Sequence, residues 1–347
     1  MTMRVAASAL ALALLPAAAC AQALPGTGAA PGMPPRFASV PAPPGEVPGV
    51  SLAYGEPAPV AVAPASAEEG YRAWGQYVFT DARLGADARG SAIASSSHGV
   101  SVGIERALDP SLVVGLTFGY AAGRAEAAGV RSDSDTYAGA GYFWWNPVGG
   151  LELDALLGAT GLDVDIARRV TLGGAPARLS GRTGGIGLTA LAAAGYRFSF
   201  AGPLGPAYLK PFLSLSYGGQ DRGAYAETAP GGGLAYPGRT FERALLNAGV
   251  AAGTEIETAW GLTLRPEASL AFSRHLIDPS PAVAVLDIGG GRAYALRDPR
   301  PGWDGLLAGA EVSFWRTRGL QAFLGYTGEF RGNATAHQVR VGLRTNW

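Results

Sequence analysis

HQVRVGLRTNW, residues 337–347, ends the chain. Its odd positions are His337, Val339, Val341, Leu343, Thr345 and Trp347; its even positions are Gln338, Arg340, Gly342, Arg344 and Asn346. Successive side chains of a strand point to opposite faces, so this strand has one mostly apolar face and one polar or charged face. Taken alone, the pattern also suits a soluble sandwich with its apolar face inward. Two upstream features decide between them: most strand-like segments repeat the alternation, and the chain opens on an export signal.

Arg4 supplies a positive start, and an apolar run from Val5 to Ala19 follows, broken only by Ser8 and Pro16. Ala21-Gln22-Ala23 then reads as a small-x-small cleavage site, so residues 1–23 are expected to be a signal peptide for the general secretion machinery. The run is shorter than the ~20 residues a spanning helix needs. Cys20 is the only cysteine, and Ala17 stands where a lipoprotein box has a large aliphatic residue. Cleavage after Ala23 leaves a mature chain without disulfide or thiolate chemistry. No apolar run of about eighteen residues follows, which excludes a transmembrane helix. A spanning strand needs only ~9–11 residues, half of them polar. Lys and Arg number 27, as do Asp and Glu. This zero balance argues against a nucleic-acid partner, which requires a basic footprint.

Residues 24–70 are crowded with Pro and Ala and show no sustained period. Such a composition cannot bury enough apolar area to offset ordering entropy, so this is a linker or very short exported segment. From residue 71 onward twelve strands are expected, near 73–81, 97–107, 111–122, 136–145, 151–164, 183–200, 207–218, 242–256, 261–275, 303–315, 320–331 and 335–347. Connections at 108–110, 146–150, 201–206, 257–259 and 316–319 are short; those at 83–96, 123–135, 167–182, 219–240 and 276–301 are long. Alternating short and long connections mark the two ends of an outer-membrane barrel. An even strand count lets the first and last strands pair and closes the edge. The fold class is therefore all-β, a twelve-stranded antiparallel transmembrane β-barrel over residues 71–347, embedded in outer-membrane lipid.

Aromatic residues near strand ends suit two interfacial girdles: Trp74, Tyr77, Tyr142, Trp144, Trp145, Tyr217, Trp260, Trp303, Trp315, Tyr326 and Trp347. The polar faces carry Glu105, Asp154, Arg265, Glu267, Glu311, Arg340 and Arg344. Arg or Lys on a lipid face at the midplane costs ~2–4 kcal/mol, so these charges are expected to face the lumen. There they form either a hydrated, salt-bridged plug or a polar track for a chain or ions. The three histidines, His98, His275 and His337, are read as polar residues at strand ends. Ser97 and His98 are adjacent and diverge across the strand, so they make no nucleophile and base pair. No metal-ligand spacing, nucleophile elbow or phosphate loop stands out, and no catalytic residue, metal or cofactor is expected.

Three stretches, WGQYVFTDARLG, SSSHGVSVGIERAL and SLVVGLTFGY, between Trp74 and Tyr120, resemble the opening of the autotransporter β-domain. AFLGYTGEFRGNATAHQVRVGLRTNW, residues 322–347, is similar to that family's final hairpin. The resemblance implies a barrel in the outer membrane of a Gram-negative bacterium that carries an N-terminal passenger to the cell surface. It implies recognition by the barrel-assembly machinery, with Val339, Val341, Leu343 and Trp347 as the assembly signal. Capture of an unpaired strand edge is the physical basis of such recognition. Two departures stand out. Only residues 24–70 remain as passenger, and Pro57, Pro59 and Pro64 leave no more than 65–73 for the helix the family places in the pore. The reading is a monomeric, non-enzymatic barrel that translocates or displays its short N-terminal segment. The alternative is a non-secreting structural, adhesive or weakly conducting barrel acting through its extracellular loops. A hydrolase using one of the histidines is the third class.

Overall fold

The computed structural model of the protein describes residues 71–346 apart from 87–91, 110, 128, 173–174, 231, 278–282, 288–292, 297–300 and 318–319. The expected signal peptide, the segment 24–70 and Trp347 lie outside the described residues. In chain order the strands are β1 (Tyr71–Leu84), β2 (Ile93–Asp109), β3 (Leu112–Ala127), β4 (Val130–Trp145), β5 (Leu151–Leu172) and β6 (Ala175–Tyr196), which β7 (Phe198–Gly202) continues. Then come β8 (Gly205–Arg222), the hairpin of β9 (Tyr225–Ala229) and β10 (Gly232–Tyr236), and β11 (Arg239–Thr254) with its short continuation β12 (Ile256–Glu257). After these follow β13 (Thr263–His275), a second hairpin of β14 (Val283–Asp287) and β15 (Ala293–Leu296), β16 (Asp304–Thr317), β17 (Leu320–Arg331) and β18 (Ala334–Asn346).

Setting aside the two hairpins and counting each continuation with its parent strand, twelve staves form one antiparallel sheet. β1 pairs with β18 from Arg72↔Asn346 to Leu84↔Ala334, so the sheet closes on itself. Closure matters because each unsatisfied backbone group in hydrocarbon costs several kcal/mol. Tight turns finish the staves. At Gly150 (φ 92°) an added Cβ would meet the Arg197 carbonyl oxygen at 2.6 Å, so only glycine fits. Asp109 accepts a 2.7 Å bond from the Ser111 backbone N–H and holds the β2–β3 turn.

The alternation read from the sequence becomes an outside and an inside. Val102, Phe118, Leu270 and Leu343 are each more than half exposed on the outer surface, whereas Ser101, Thr117, Ser273 and Arg340 on the opposite face are buried. Three expected loops are largely strand, 219–240 being filled mostly by the ends of β8 and β11 and the β9–β10 hairpin. β3 and β4 continue through 123–135 to a turn at Gly129, and β5 and β6 occupy most of 167–182. At 22 residues each, β5 and β6 are about twice as long as a bilayer requires. Their outer faces show why they were read as loop. Asp163, Asp165 and Arg182 point outward there, so the strands have left the hydrocarbon and lost their apolar face. Residues 71–73 of the helix expected within 65–73 belong to β1.

The girdle assignment needs correction at four aromatics. Trp74, Tyr142, Trp144 and Trp315 face inward: Trp74 donates to the Tyr142 hydroxyl at 2.8 Å, Trp144 is buried with Ala107 and Val113, and Trp315 lies 5.1 Å from the Arg265 guanidinium. The outer belt away from the termini includes three tyrosines bonded to polar neighbours. Tyr120 donates to Asp135, Tyr217 donates to Glu242 at 2.7 Å, and Tyr326 lies 2.8 Å from His337 Nδ1. Each presents an apolar ring and a satisfied hydroxyl, as a membrane interface demands.

Inward aromatics need space, and glycine supplies it. Trp74 lies over Gly103, Tyr142 over Gly115, Tyr208 over Gly253 and Phe323 over Gly342, each glycine being the ring's register partner on the adjacent stave. A Cβ at Gly115 would collide with the Tyr142 ring. Overpacking of this kind typically costs ~1–3 kcal/mol. Gly115→Val is therefore expected to lower the urea midpoint of the heat-modifiable barrel on gels. Gly149→Ala, where an added Cβ meets nothing within 4 Å, is expected to leave it unchanged.

Candidate functional site

Two groups of charged side chains line the inner wall. The first lies toward the end where β1 begins and β18 finishes. Glu105 is 3.9 Å from Arg72 and 3.8 Å from Arg344, and it accepts a 2.9 Å bond from Tyr142. Glu152 on β5 accepts from Arg197 at 2.6 Å and from Lys210 at 3.0 Å. Arg197 lies over the Tyr208 ring at 4.0 Å, and the Tyr208 hydroxyl donates to Glu267. Glu267 stands directly opposite Glu311 across β13 and β16, and Arg340 donates to Glu311 at 2.9 Å. Arg265 donates to Glu255 at 2.6 Å. Asp154, on the same face of β5 as Glu152, keeps one carboxylate oxygen without a hydrogen-bond partner. Among the described residues, six carboxylates (105, 152, 154, 255, 267, 311) thus meet six cations (72, 197, 210, 265, 340, 344), and these charges balance.

The second group lies toward the opposite mouth. Arg168 donates to Glu227 at 2.6 and 3.1 Å and to the Tyr236 hydroxyl at 3.0 Å, with the Arg168 and Glu227 side chains wholly buried. Around this pair Val130, Leu162, Val164, Ile166 and Leu179 of the projecting β4, β5 and β6 pack against Tyr225, Leu234 and Tyr236 of the β9–β10 hairpin. The Tyr225 and Tyr236 rings stack 4.6 Å apart. The hairpin therefore folds over the inner wall at the mouth, and β10 pairs onward with β14. Burial opposes the charge on Arg168, but the Glu227 bond more than offsets it and raises its pKa. Burial also pushes both tyrosine phenols above their usual value. Nearby, Glu329 bridges Arg243 at 3.3 Å and Arg331, and Arg331 also reaches Ser273 at 2.7 Å and the Trp303 carbonyl at 3.1 Å.

The seven charges singled out from the sequence occupy the first belt. Arg72, Glu152, Arg197, Lys210 and Glu255 complete it and lie outside the set singled out from the sequence, although Arg72 and Glu152 sit on the polar phase of their strands. Arg168 and Glu227 had no local signal, since they come from segments that looked like loop, whereas Arg243, Glu329 and Arg331 lie within expected strands. The histidines separate. His98 is exposed on the outer face while Ser97 is buried inside. His337 sits in the outer aromatic belt, stacked on Tyr326. His275 is the last residue of β13 and is buried on the inner wall, its ring nitrogens without hydrogen bonds among the described residues. Val339, Val341 and Leu343 face outward from β18.

A closed antiparallel sheet with an apolar exterior, an aromatic belt and a charged interior is a transmembrane β-barrel. The family model described as "Autotransporter beta-domain" matches residues 73–327, more than half of the chain, and the protein belongs to that family. It is an outer-membrane barrel of the autotransporter type. The fold is similar to the translocator domain of autotransporter NalP from Neisseria meningitidis, with a TM-score of 0.63 at 16% identity over 81% of this chain and 89% of that one. The β-domain of the Bordetella autotransporter BrkA gives 0.58 at 16% identity over 80% and 100%. The transport unit of AIDA-I from Escherichia coli gives 0.57 at 12% identity over 82% and 92%. No curated protein matches the chain.

Removing one partner of a buried ion pair typically costs ~3–5 kcal/mol, because it strands the other charge. Glu227→Gln is expected to release the β9–β10 hairpin, read as faster proteinase K cleavage within 225–236. The double variant Arg168→Met/Glu227→Met is expected to recover much of the protection.

Proposed function

We propose that this barrel translocates, or holds at the cell surface, the Pro/Ala-rich segment 24–70 after removal of residues 1–23. The observation carrying this reading is that β1 begins at Tyr71, beside the end of β18 and at the short-turn mouth, next to the charged belt of the inner wall. A chain entering there meets a neutral belt of paired charges, which offers polar partners without a net field to trap it. Family membership supports the same reading. On it the protein is a monomeric translocator rather than an enzyme. Its partners are the general secretion machinery for export and the barrel-assembly machinery for insertion, the latter reading Val339, Val341, Leu343 and Trp347.

The inward fold of the β9–β10 hairpin favours a second reading, in which the mouth stays covered and the extracellular loops carry the function. An epitope tag inserted near Gly45 separates the two. The translocation reading expects protease added to intact cells to shave the tag while periplasmic markers stay intact. A tag reached only after outer-membrane permeabilisation overturns it and leaves the loops as the functional part. Deleting Trp347 is expected to reduce the amount of assembled, heat-modifiable barrel severalfold; unchanged assembly would remove it from the signal.

A further inference from the structure

Three neighbouring staves share an inner face unlike the rest of the wall. Four register rows cross β2, β3 and β4, from Ser101↔Gly119↔Ala138 to Ser95↔Ala125↔Ser132, and every inward residue in them is Gly, Ala, Ser or Thr. Elsewhere large charged groups such as Lys210, Glu311 and Arg340 stand inward. The small residues of β3 form a floor, and the hydroxyls of β2 and β4 stand on either side of it. The result is an uncharged trough along β3, two strand spacings or ~10 Å wide. Ser101, Ser132, Ser134 and Thr136 are 3%, 0%, 5% and 5% exposed, and among the described residues none of their hydroxyls has a hydrogen-bond partner. Buried hydroxyls ordinarily have one, so four such groups along one trough point to an occupant that accepts hydrogen bonds.

We propose that the trough holds residues 57–67 of the chain itself as an extended polyproline chain, its carbonyl oxygens accepting from Ser132, Ser134 and Thr136. The inference rests on the reading that the segment enters at the short-turn mouth, and it adds the wall the segment follows. Composition fits. PAPVAVAPASA carries no charge and no side chain larger than valine, and Glu56 and Glu68 bound it. A polyproline helix makes no internal hydrogen bonds, so its carbonyls are free for the wall. Length fits as well. The segment joins β1 at Tyr71, and the Ser134 row crosses β1 at Thr80, nine residues further along. That climb is ~30 Å in a strand. It matches ~10 residues of polyproline chain at ~3.1 Å each. Counting back from Tyr71 sets Ala61 beside Ser134.

Disulfide trapping in the full chain, with Cys20→Ala so that only introduced thiols remain, tests this. The partner for Ala61→Cys is either Ser134→Cys in the trough or Ser269→Cys, which faces inward from β13 across the barrel. Linked peptides are read by mass spectrometry, and each rate is divided by that single cysteine's labelling rate with a small maleimide. The Ser134 pair is expected to link about tenfold faster or more, because effective concentration falls steeply with distance. Heat-modifiable migration checks folding, and Thr136→Cys replaces Ser134→Cys if that variant fails. Equal rates for the two pairs overturn the proposal while leaving translocation intact, since the segment then fills the barrel without choosing this wall. Linkage in neither pair, with both single cysteines reactive, also overturns it, and the tag near Gly45 then reads separately whether the segment crosses.

Discussion

The β1–β18 ladder is the contact on which everything else in this molecule depends. A sheet of this size in hydrocarbon is tolerable only without edges. Once the first and last staves meet, inside and outside become different solvents. Each stave then obeys one rule at every second residue. Outward positions answer to lipid, and inward positions answer to water and to one another. The 28 polar side chains buried among the described residues are a consequence of closure, not an addition to it. The same enclosure explains why so many of them are paired: a polar group cut off from bulk water needs a partner of its own.

The inner wall is assembled at two scales. Locally, a large side chain lies on a glycine one stave away, so neighbouring staves interlock without widening the barrel. Tyr142 on Gly115 also holds Trp74 and touches Glu105, which links packing to the charged belt. Across the lumen, ion pairs join staves that are not neighbours: Arg340 on β18 reaches Glu311 on β16, and Arg243 on β11 reaches Glu329 on β17. The described charges gather in two groups along the axis, the belt around Glu105 and Glu267 toward one end and the Arg168–Glu227 and Arg243–Glu329 pairs toward the other.

How much of this was legible depended on where a residue sits relative to the membrane. Within the hydrocarbon the period is strict, and the faces of Val100 to Ile104 or Leu270 to Phe272 follow from the sequence alone. Beyond it the outer face turns polar, alternation fades, and β5 and β6 past Leu162 resemble loop although they are strand. Aromatics were misplaced for a different reason. Trp and Tyr satisfy either solvent, so Trp74 and Tyr142 gave no clue to their face except the glycines opposite them. That clue exists only once register is known, because Gly115 and Tyr142 are distant in sequence. Arg168 and Glu227 were invisible for the same reason, being brought together by a hairpin that folds inward.

Lys210 has a consequence of its own. It is the only lysine in the chain, it is 4% exposed, and its ammonium is clasped by Glu152 on the inner wall. Apart from the chain's amino terminus, the protein therefore offers acylating reagents a single amine, and that amine can be approached only along the barrel's axis. Its rate of modification is an intrinsic gauge of how far the lumen is open, built into the molecule without any introduced label.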